Sequence, residues 1–167
     1  MSKKLTIIRH AKSDWGNSNL KDFDRPLNKR GFRDAPFMAN TLFNRQIKVD
    51  KLISSPALRA CTTAKIFADK FGINHSEIEL KEELYHANFS VLLEQVHNIQ
   101  PAHNHSVFFG HNPGLSNLVS LLVSDYLSMP TCAIAELEIH VNEWNLVAPG
   151  TASLINFDYP KNHQPLK

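Results

Sequence analysis

Two histidines and two arginines of this sequence stand where β-rich runs give way to polar loop residues. Arg9 and His10 end the first such run, Arg59 lies just beyond the second, and His111 follows a later one. The carboxyl ends of parallel strands open onto one crevice. We therefore expect these four side chains to share a pocket, although 101 positions separate His10 from His111.

These residue types suit the transfer of a phosphoryl group. A neutral imidazole can attack phosphorus in line, and a histidine with an ordinary pKa of about 6.5 supplies that form near neutral pH. Guanidinium groups bind phosphoryl oxygens through two parallel hydrogen bonds. Such transfer depends mainly on positioning and on stabilisation of charge. In this interpretation His10 would attack, and His111 could donate to a phosphoryl oxygen.

The elements that must hold these residues alternate between strand and helix. Strands are predicted at 5–8, 50–55, 77–80 and 106–109, and helices at 32–43, 56–71, 90–99 and 115–123. Pro36 is expected in the first turn of its helix or at a kink. Two further strands, at 133–141 and 152–157, are expected as a hairpin-like addition at one sheet edge. This order predicts a three-layer α/β/α sandwich with a mainly parallel central sheet.

Length and composition are those of one ordinary domain. The chain has 167 residues, of which 43% are hydrophobic and 20% charged. We expect a single catalytic domain at 1–157 and a flexible C-terminal tail at 158–167. Lysine and arginine are spread along the chain and the net charge is only +2, so nucleic acid is not an expected partner.

Cysteine usage and hydropathy bear on the compartment. Cys61 and Cys132 lie far apart, outside any metal-ligand spacing, and the first residues lack the apolar run of a signal peptide. The longest apolar runs are also far short of membrane-spanning length. We therefore expect a reduced, cytoplasmic location without a membrane partner.

Four ordered motifs resemble signatures of the histidine phosphatase superfamily, and within it the small bacterial SixA-like phosphohistidine phosphatases. They are Ile7-Ile8-Arg9-His10-Ala11-Lys12-Ser13, Arg25-Pro26-Leu27-Asn28 with Gly31, Ser54-Ser55-Pro56-Ala57-Leu58-Arg59-Ala60 with Thr62-Thr63-Ala64, and Gly110-His111-Asn112-Pro113-Gly114. The resemblance extends over residues 4 to 157 and implies a phosphoglycerate mutase-like fold. Ala11 stands where the superfamily's Arg-His-Gly motif has glycine, and alanine is common in the small bacterial subgroup.

The resemblance assigns roles to the candidate residues. It implies that His10 becomes phosphorylated and that the phosphate is held without a metal or a cofactor. The candidates for holding the phosphate are Arg9, Arg59, His111, Arg25 and Ser13. For Arg25 the alternative is an ordinary surface ion pair with Asp22 or Asp24, and for Ser13 it is a solvated loop.

No single residue stands out as the general acid. Larger members of the superfamily supply a carboxylic acid from the region before the last catalytic strand, which here is the segment 81–86. Glu83 is the first candidate and His86 the second. A phosphohistidine substrate needs less help from an acid, because a protonated phosphoramidate departs readily.

The expected substrate is a phosphohistidine on a protein, such as a histidine-containing phosphotransfer domain of a signalling relay. The segment between Arg59 and His111 is short, which leaves little room for insertions that would cap a small metabolite. Three alternatives remain. The chain could be a phosphomonoesterase of a small phosphorylated metabolite, a non-catalytic phosphohistidine-binding module, or a metallohydrolase that uses some of its nine histidines.

Overall fold

A computed structural model of the protein describes residues 2–164. The strands are β1 (Lys3–Arg9), β2 (Lys51–Ser54), β3 (Glu79–Leu80), β4 (His105–Gly110), β5 (Ile134–Ile139) and β6 (Ala152–Asp158). The α-helices are α1 (Lys29–Phe43), α2 (Leu58–Phe71), α3 (Phe89–His97) and α4 (Gly114–Val123). These elements follow the predicted alternation of strand and helix up to α4.

The strands form one sheet in the order β3-β2-β4-β1-β5-β6. β3, β2, β4 and β1 run parallel, whereas β5 is antiparallel to β1 and β6 is antiparallel to β5. The predicted hairpin at one edge is therefore confirmed. All six residues of the central strand β4 are buried, as expected for a strand that helices cover on both faces.

Two hydrophobic cores lie on opposite faces of the sheet, so the molecule has three layers. On one face Leu5, Ile7 and Phe108 pack with α3 and α4. On the other face Ile8 and Phe109 pack with α1 and α2. Neighbouring residues of a strand point to opposite faces, which explains why Ile7 and Ile8 enter different cores. The predicted α/β/α sandwich is confirmed.

Helix α1 begins three residues before its predicted start. The Asn28 side chain accepts a hydrogen bond from the Gly31 amide at 2.9 Å and caps the helix, an arrangement that satisfies an otherwise unpaired N–H group. Pro36 consequently lies inside the helix rather than in its first turn. The third predicted strand is shorter than expected, because His75–Glu77 forms a 3-10 turn and only Glu79–Leu80 pairs with β2.

The start of the predicted flexible tail is folded. Asp158 ends β6, and Pro160–His163 forms a 3-10 turn with Pro160 buried. His163 bonds to the Asp158 carboxylate at 2.7 Å, and its ring lies 5.1 Å from that of Phe37 on α1. Residues 165–167 of the predicted tail lie outside the described residues. Among the helices of residues 2–164, none has the length and apolar character needed to cross a bilayer.

Candidate active site

The carboxyl ends of β1, β2 and β4 meet at one edge of the sheet. Arg9 lies opposite Gly110 in the β1–β4 ladder, and the His10 amide donates to the Gly110 carbonyl at 3.1 Å. The Ser55 amide likewise donates to the carbonyl of Phe109 at 3.0 Å. The loops after the three strands therefore start side by side, and the ring centroids of His10 and His111 lie 5.2 Å apart.

His10 is oriented and kept neutral by its surroundings. Its side chain is buried, and Nδ1 lies 2.7 Å from the Ala11 carbonyl oxygen. Because a carbonyl only accepts, Nδ1 carries the proton and Nε2 keeps its lone pair. Burial lowers the pKa of His10 to about 3, the bond to Ala11 opposes this change, and the charges of Arg59 and Arg9 reinforce it. His10 is thus a neutral imidazole with a free Nε2 at physiological pH.

His111 is also buried, and it presents a hydrogen-bond donor to the pocket. Its Nε2 lies 2.8 Å from Ser55 Oγ, which accepts from the Ala57 amide at 3.2 Å and can turn its own hydrogen toward Nε2. Nδ1 then carries the ring proton. Burial lowers the pKa of His111 to about 3, and the charge of Arg59 lowers it further. The neutral ring can donate from Nδ1 to a phosphoryl oxygen.

Several buried donors at this edge lack a partner within the protein. In residues 2–164 the buried side-chain nitrogens without a hydrogen bond are Arg9 Nε, Arg59 Nε and His111 Nδ1, and Ser106 Oγ is the one oxygen. An unpaired buried donor costs about 1 to 3 kcal/mol. All three nitrogens belong to residues that the sequence predicts as phosphate ligands. An anion with several acceptor oxygens would satisfy them together.

Arg9 is held by the chain that precedes β5. Its Nη1 donates to the Met129 carbonyl at 3.0 Å. The Cys132 amide donates to the carbonyls of Arg9 and His10, at 3.1 Å and 3.0 Å, and the Arg9 amide donates to Ala133 at 3.1 Å. These bonds fix the backbone on either side of His10. Cys132 and Cys61 are both buried free thiols.

Asp22 organises the arginines, a role that the sequence analysis missed. Arg59, in the first turn of α2 and only 3% exposed, donates to the Asp22 carbonyl at 2.6 Å and to Asp22 Oδ2 at 2.9 Å. The same Oδ2 accepts from Tyr85 Oη at 2.6 Å and lies 3.0 Å from His86 Nε2. Asp22 therefore aligns Arg59 so that Nε remains for a ligand.

Charge and hydrogen bonds keep Asp22 ionised. Desolvation raises its pKa, but the hydrogen bonds from Tyr85, Arg59 and Arg25 and the charge of Arg59 lower it more, so the pKa lies well below its usual range. The only sequence signal was its place three residues before Arg25, which suggested a surface ion pair. That pair exists, with Arg25 Nη2 3.1 Å from Asp22 Oδ1.

Arg25 and Ser13 are both buried and bond to each other. Arg25 Nη1 donates to Ser13 Oγ at 2.7 Å and to the Asp14 carbonyl at 3.2 Å, and its Nε and Nη2 both donate to Asp22. The Trp15 ring covers the guanidinium at 3.5 Å. One N–H of Arg25 is left for a phosphate, while its charge also helps to lower the pKa of His10.

The structure separates the two candidates for the general acid. Glu83 lies in the exposed 3-10 turn Glu82–Leu84, and its carboxylate makes no hydrogen bond or ion pair with any residue of 2–164. His86 instead reaches the pocket, where its ring stacks on that of His111 with centroids 5.7 Å apart. His86 has a φ of +51°, a left-handed conformation that turns the chain at this point. The geometry favours the second candidate over the first.

The histidines and the carboxylate that meet at this site are not arranged as ligands of a metal ion. Within residues 2–164 no group of three or more His, Cys, Asp or Glu side chains is arranged to hold a metal ion. His10, His111 and His86 cluster by their rings, and Asp22 accepts from His86 and two arginines.

Comparison with known proteins agrees with this geometry. An uncharacterised chloroplastic protein of Arabidopsis thaliana is 30% identical over 152 residues, which cover 86% of this chain and 70% of that protein. The structure is similar to the protein histidine phosphatase SixA complexed with tungstate, with a TM-score of 0.82, 21% identity, and coverage of 96% of this chain and 99% of that one.

A second similar structure carries the provisional name of phosphohistidine phosphatase SixA, from Agrobacterium tumefaciens. Its TM-score is 0.79 at 26% identity, with coverage of 96% of this chain and 99% of that one. A sequence profile of the histidine phosphatase superfamily (branch 1) matches residues 5–114, a segment that contains Arg9, His10, Arg59 and His111. With more than half of its length matched and all four pocket residues inside the match, the chain belongs to the histidine phosphatase superfamily.

Proposed function

We propose that this protein is a phosphatase that removes the phosphoryl group from phosphohistidine on a protein, by way of a phosphorylated His10. The observation that carries the proposal is the set of three unpaired buried donors, Arg9 Nε, Arg59 Nε and His111 Nδ1, around a buried neutral histidine. A phosphoryl group offers three oxygens to such donors while its phosphorus faces the nucleophile.

The reaction has two steps. In the first, the lone pair of His10 Nε2 attacks phosphorus, the bond from phosphorus to the substrate's imidazole nitrogen breaks, and the ring leaves as a neutral imidazole that keeps the proton on its other nitrogen. In the second, a water oxygen attacks the phosphorus on His10, the Nε2–P bond breaks, His10 returns to its neutral form, and inorganic phosphate departs with the oxygen and the protons of the water. Arg9, Arg59 and His111 stabilise the negative charge in both steps.

The shape of the site supports a substrate that is itself a protein. Trp15 is 71% exposed, and the side chains of Asp22 and His86 are 39% and 57% exposed, so the rim of the pocket faces solvent. Between α2 and β4 the chain forms only β3, two 3-10 turns and α3. An exposed rim of this kind is accessible to an imidazole on the surface of another protein.

The absence of an evident carboxylic acid at the site, in the described part of the chain, also supports a phosphohistidine substrate, because its imidazole leaving group needs little help from an acid. The carboxylate of Glu83, the acid expected from the sequence, is exposed and makes no hydrogen bond or ion pair within residues 2–164, and His86 is held by Asp22 at 3.0 Å. A phosphohistidine that is protonated on its other ring nitrogen leaves as a neutral imidazole without a donor from the enzyme, whereas an alkyl phosphate requires a donor at a more basic oxygen.

The test is incubation with a histidine phosphotransfer domain phosphorylated with radioactive phosphate, with p-nitrophenyl phosphate as a second substrate. We expect release of phosphate and a trapped phosphoenzyme that is labile to acid and stable to base. His10→Ala should abolish both without unfolding the protein, and His140→Ala, at an exposed site, should abolish neither. Retention of activity in His10→Ala would remove it as the nucleophile.

Two further arms separate the alternatives. Binding of the phosphodomain without turnover would identify a non-catalytic module, and hydrolysis of p-nitrophenyl phosphate alone would identify a phosphomonoesterase. The assay is repeated after dialysis against EDTA, where we expect unchanged rates. Loss of activity that a divalent cation restores would identify a metallohydrolase.

A further inference from the structure

A cavity lined by cations lies beside the phosphate pocket. Its volume is about 300 Å³, and its walls include Arg9, Lys12, Arg30 and Lys161 together with one carboxylate, Asp34. Arg9 belongs to both sites, because its Nε is an unpaired donor of the phosphate pocket and its side chain also lines the cavity. The cavity and the place where a phosphoryl group would bind therefore share one residue, Arg9.

The positive charges of the cavity are only partly balanced. Asp34 is shared by two arginines, with Arg30 Nε at 3.7 Å and Arg33 Nε at 3.1 Å. The ammonium groups of Lys12 and Lys161 make no hydrogen bond or ion pair with a residue of the described chain. A ligand with one or more carboxylates would supply the missing countercharge.

We propose that this cavity binds acidic side chains of the protein substrate that lie next to its phosphohistidine. The inference rests on the proposed function and adds a rule of selectivity to it. Lys161 sits in the exposed 3-10 turn Pro160–His163, and Arg30 is exposed on the first turn of α1. Both can reach a partner's surface, which suits side chains of a folded protein better than an enclosed metabolite.

The expected effect is one of recognition rather than chemistry. An exposed ion pair strengthens binding by up to about fivefold, and a like charge in its place repels. Reversal of one charge should therefore reduce kcat/KM for an acidic substrate by about fivefold to tenfold. Salt should weaken the preference, since the screening length is about 8 Å at physiological ionic strength.

The test uses two phosphohistidine peptides that differ only in their flanking residues, two glutamates in one and two glutamines in the other. The enzymes are the wild type, Lys161→Glu, Lys161→Gln and a control, Lys65→Glu, which changes an exposed lysine of α2. p-Nitrophenyl phosphate serves as a substrate without flanking groups. Thermal unfolding of each variant verifies the fold.

We expect the wild type and Lys65→Glu to prefer the glutamate peptide at low salt, and Lys161→Glu to lose that preference while hydrolysing p-nitrophenyl phosphate at the wild-type rate. Lys161→Gln should fall between. Equal hydrolysis of both peptides by the wild type would overturn the inference and leave the proposed function standing. An equal loss on p-nitrophenyl phosphate would also overturn it, because Lys161 would then act on the phosphoryl group. Hydrolysis of p-nitrophenyl phosphate with neither peptide would refute the proposed substrate, and the inference with it.

Discussion

Lowering the pH from 7 to 5 should weaken the folded state through the two pocket histidines. Burial lowers the pKa of His10 and of His111 to about 3, whereas a histidine of the unfolded chain has a pKa of about 6.5. The unfolded chain therefore takes up protons in this range and the folded chain does not. The contribution of the two histidines to the free energy of unfolding is fully present above pH 6.5. It is lost progressively as the pH drops from there toward 3.

The size of the effect follows from these two pKa values. Proton uptake by the unfolded state lowers the free energy of unfolding at pH 5, relative to pH 7, by about 2 kcal/mol per histidine, or about 4 kcal/mol for the pair. His10 and His111 are 7% and 5% exposed, so solvent does little to reduce the effect. The free energy of unfolding of a domain is about 5 to 15 kcal/mol in total. A loss of this size should therefore be measurable.

The assay is urea unfolding at pH 7 and pH 5 in buffer without phosphate. The free energy of unfolding is compared within each variant, so that packing defects cancel and only the pH dependence remains. Wild type should lose about 2 kcal/mol more than His10→Asn between the two pH values. His105, whose pKa burial also lowers, is present in both proteins and cancels. His140→Asn, at an exposed position, serves as the matched control.

Identical pH dependence in wild type and His10→Asn would refute the reasoning, because it would mean that His10 gains no proton on unfolding and is already charged in the pocket. The kinetic counterpart is the acid limb of kcat/KM. If His10 is neutral in the pocket, protonation of His10 should not reduce kcat/KM until the pH is well below 6. A decrease in kcat/KM centred near pH 6.5 that persists when the substrate and the buffer are changed would also refute the reasoning.

Three other substitutions have definite expected outcomes. Arg59→Lys keeps a positive charge but loses Nε and the two hydrogen bonds to Asp22. We therefore expect kcat/KM to fall by about a hundredfold or more. A near-normal kcat/KM would show that the charge alone suffices. With an alkyl phosphate as substrate, His86→Gln should reduce kcat/KM at least tenfold, whereas the control Glu83→Gln should stay near wild type. A large loss in Glu83→Gln and none in His86→Gln would identify Glu83 as the acid. Gly31→Ala should destabilise the protein by about 1 to 3 kcal/mol in urea, because a Cβ would lie 2.2 Å from the Lys12 carbonyl; no loss would show that loop and helix separate freely.

The parts of the site that the sequence predicted are those attached to regular elements. His10 and His111 follow buried strands, and Arg59 opens a helix after a third, so the rule that parallel strands end at one edge was enough to bring them together. The distance between their rings, 5.2 Å for the two histidines, follows from the register of β1 on β4. Regular hydrogen-bond ladders make such placements predictable.

The parts that the sequence analysis missed are fixed by loops. Asp22 accepts from Arg59 and Tyr85, which lie 37 and 63 positions away, and no periodicity encodes contacts between irregular segments. Glu83 and His86 are three positions apart, and only the turn between them determines which one enters the pocket. The folded residues 158–163 were expected as a tail because composition cannot show that His163 packs on Phe37.

The position of β1 in the middle of the sheet means that the proposed phosphate site depends on residues that are synthesised long after β1. Of the six strands in residues 2–164, β1 is synthesised first, yet it lies between β4 and β5, and Arg9 donates to the Met129 carbonyl, 120 positions away. Contacts of such sequence separation form slowly, because a long loop must close before they contribute. A nascent or C-terminally truncated chain carries His10 without the groups that shape its surroundings. The proposed capacity to bind an oxyanion then appears only after β4 and the chain before β5 have come together with β1, and phosphate binding by a refolding chain would report that assembly.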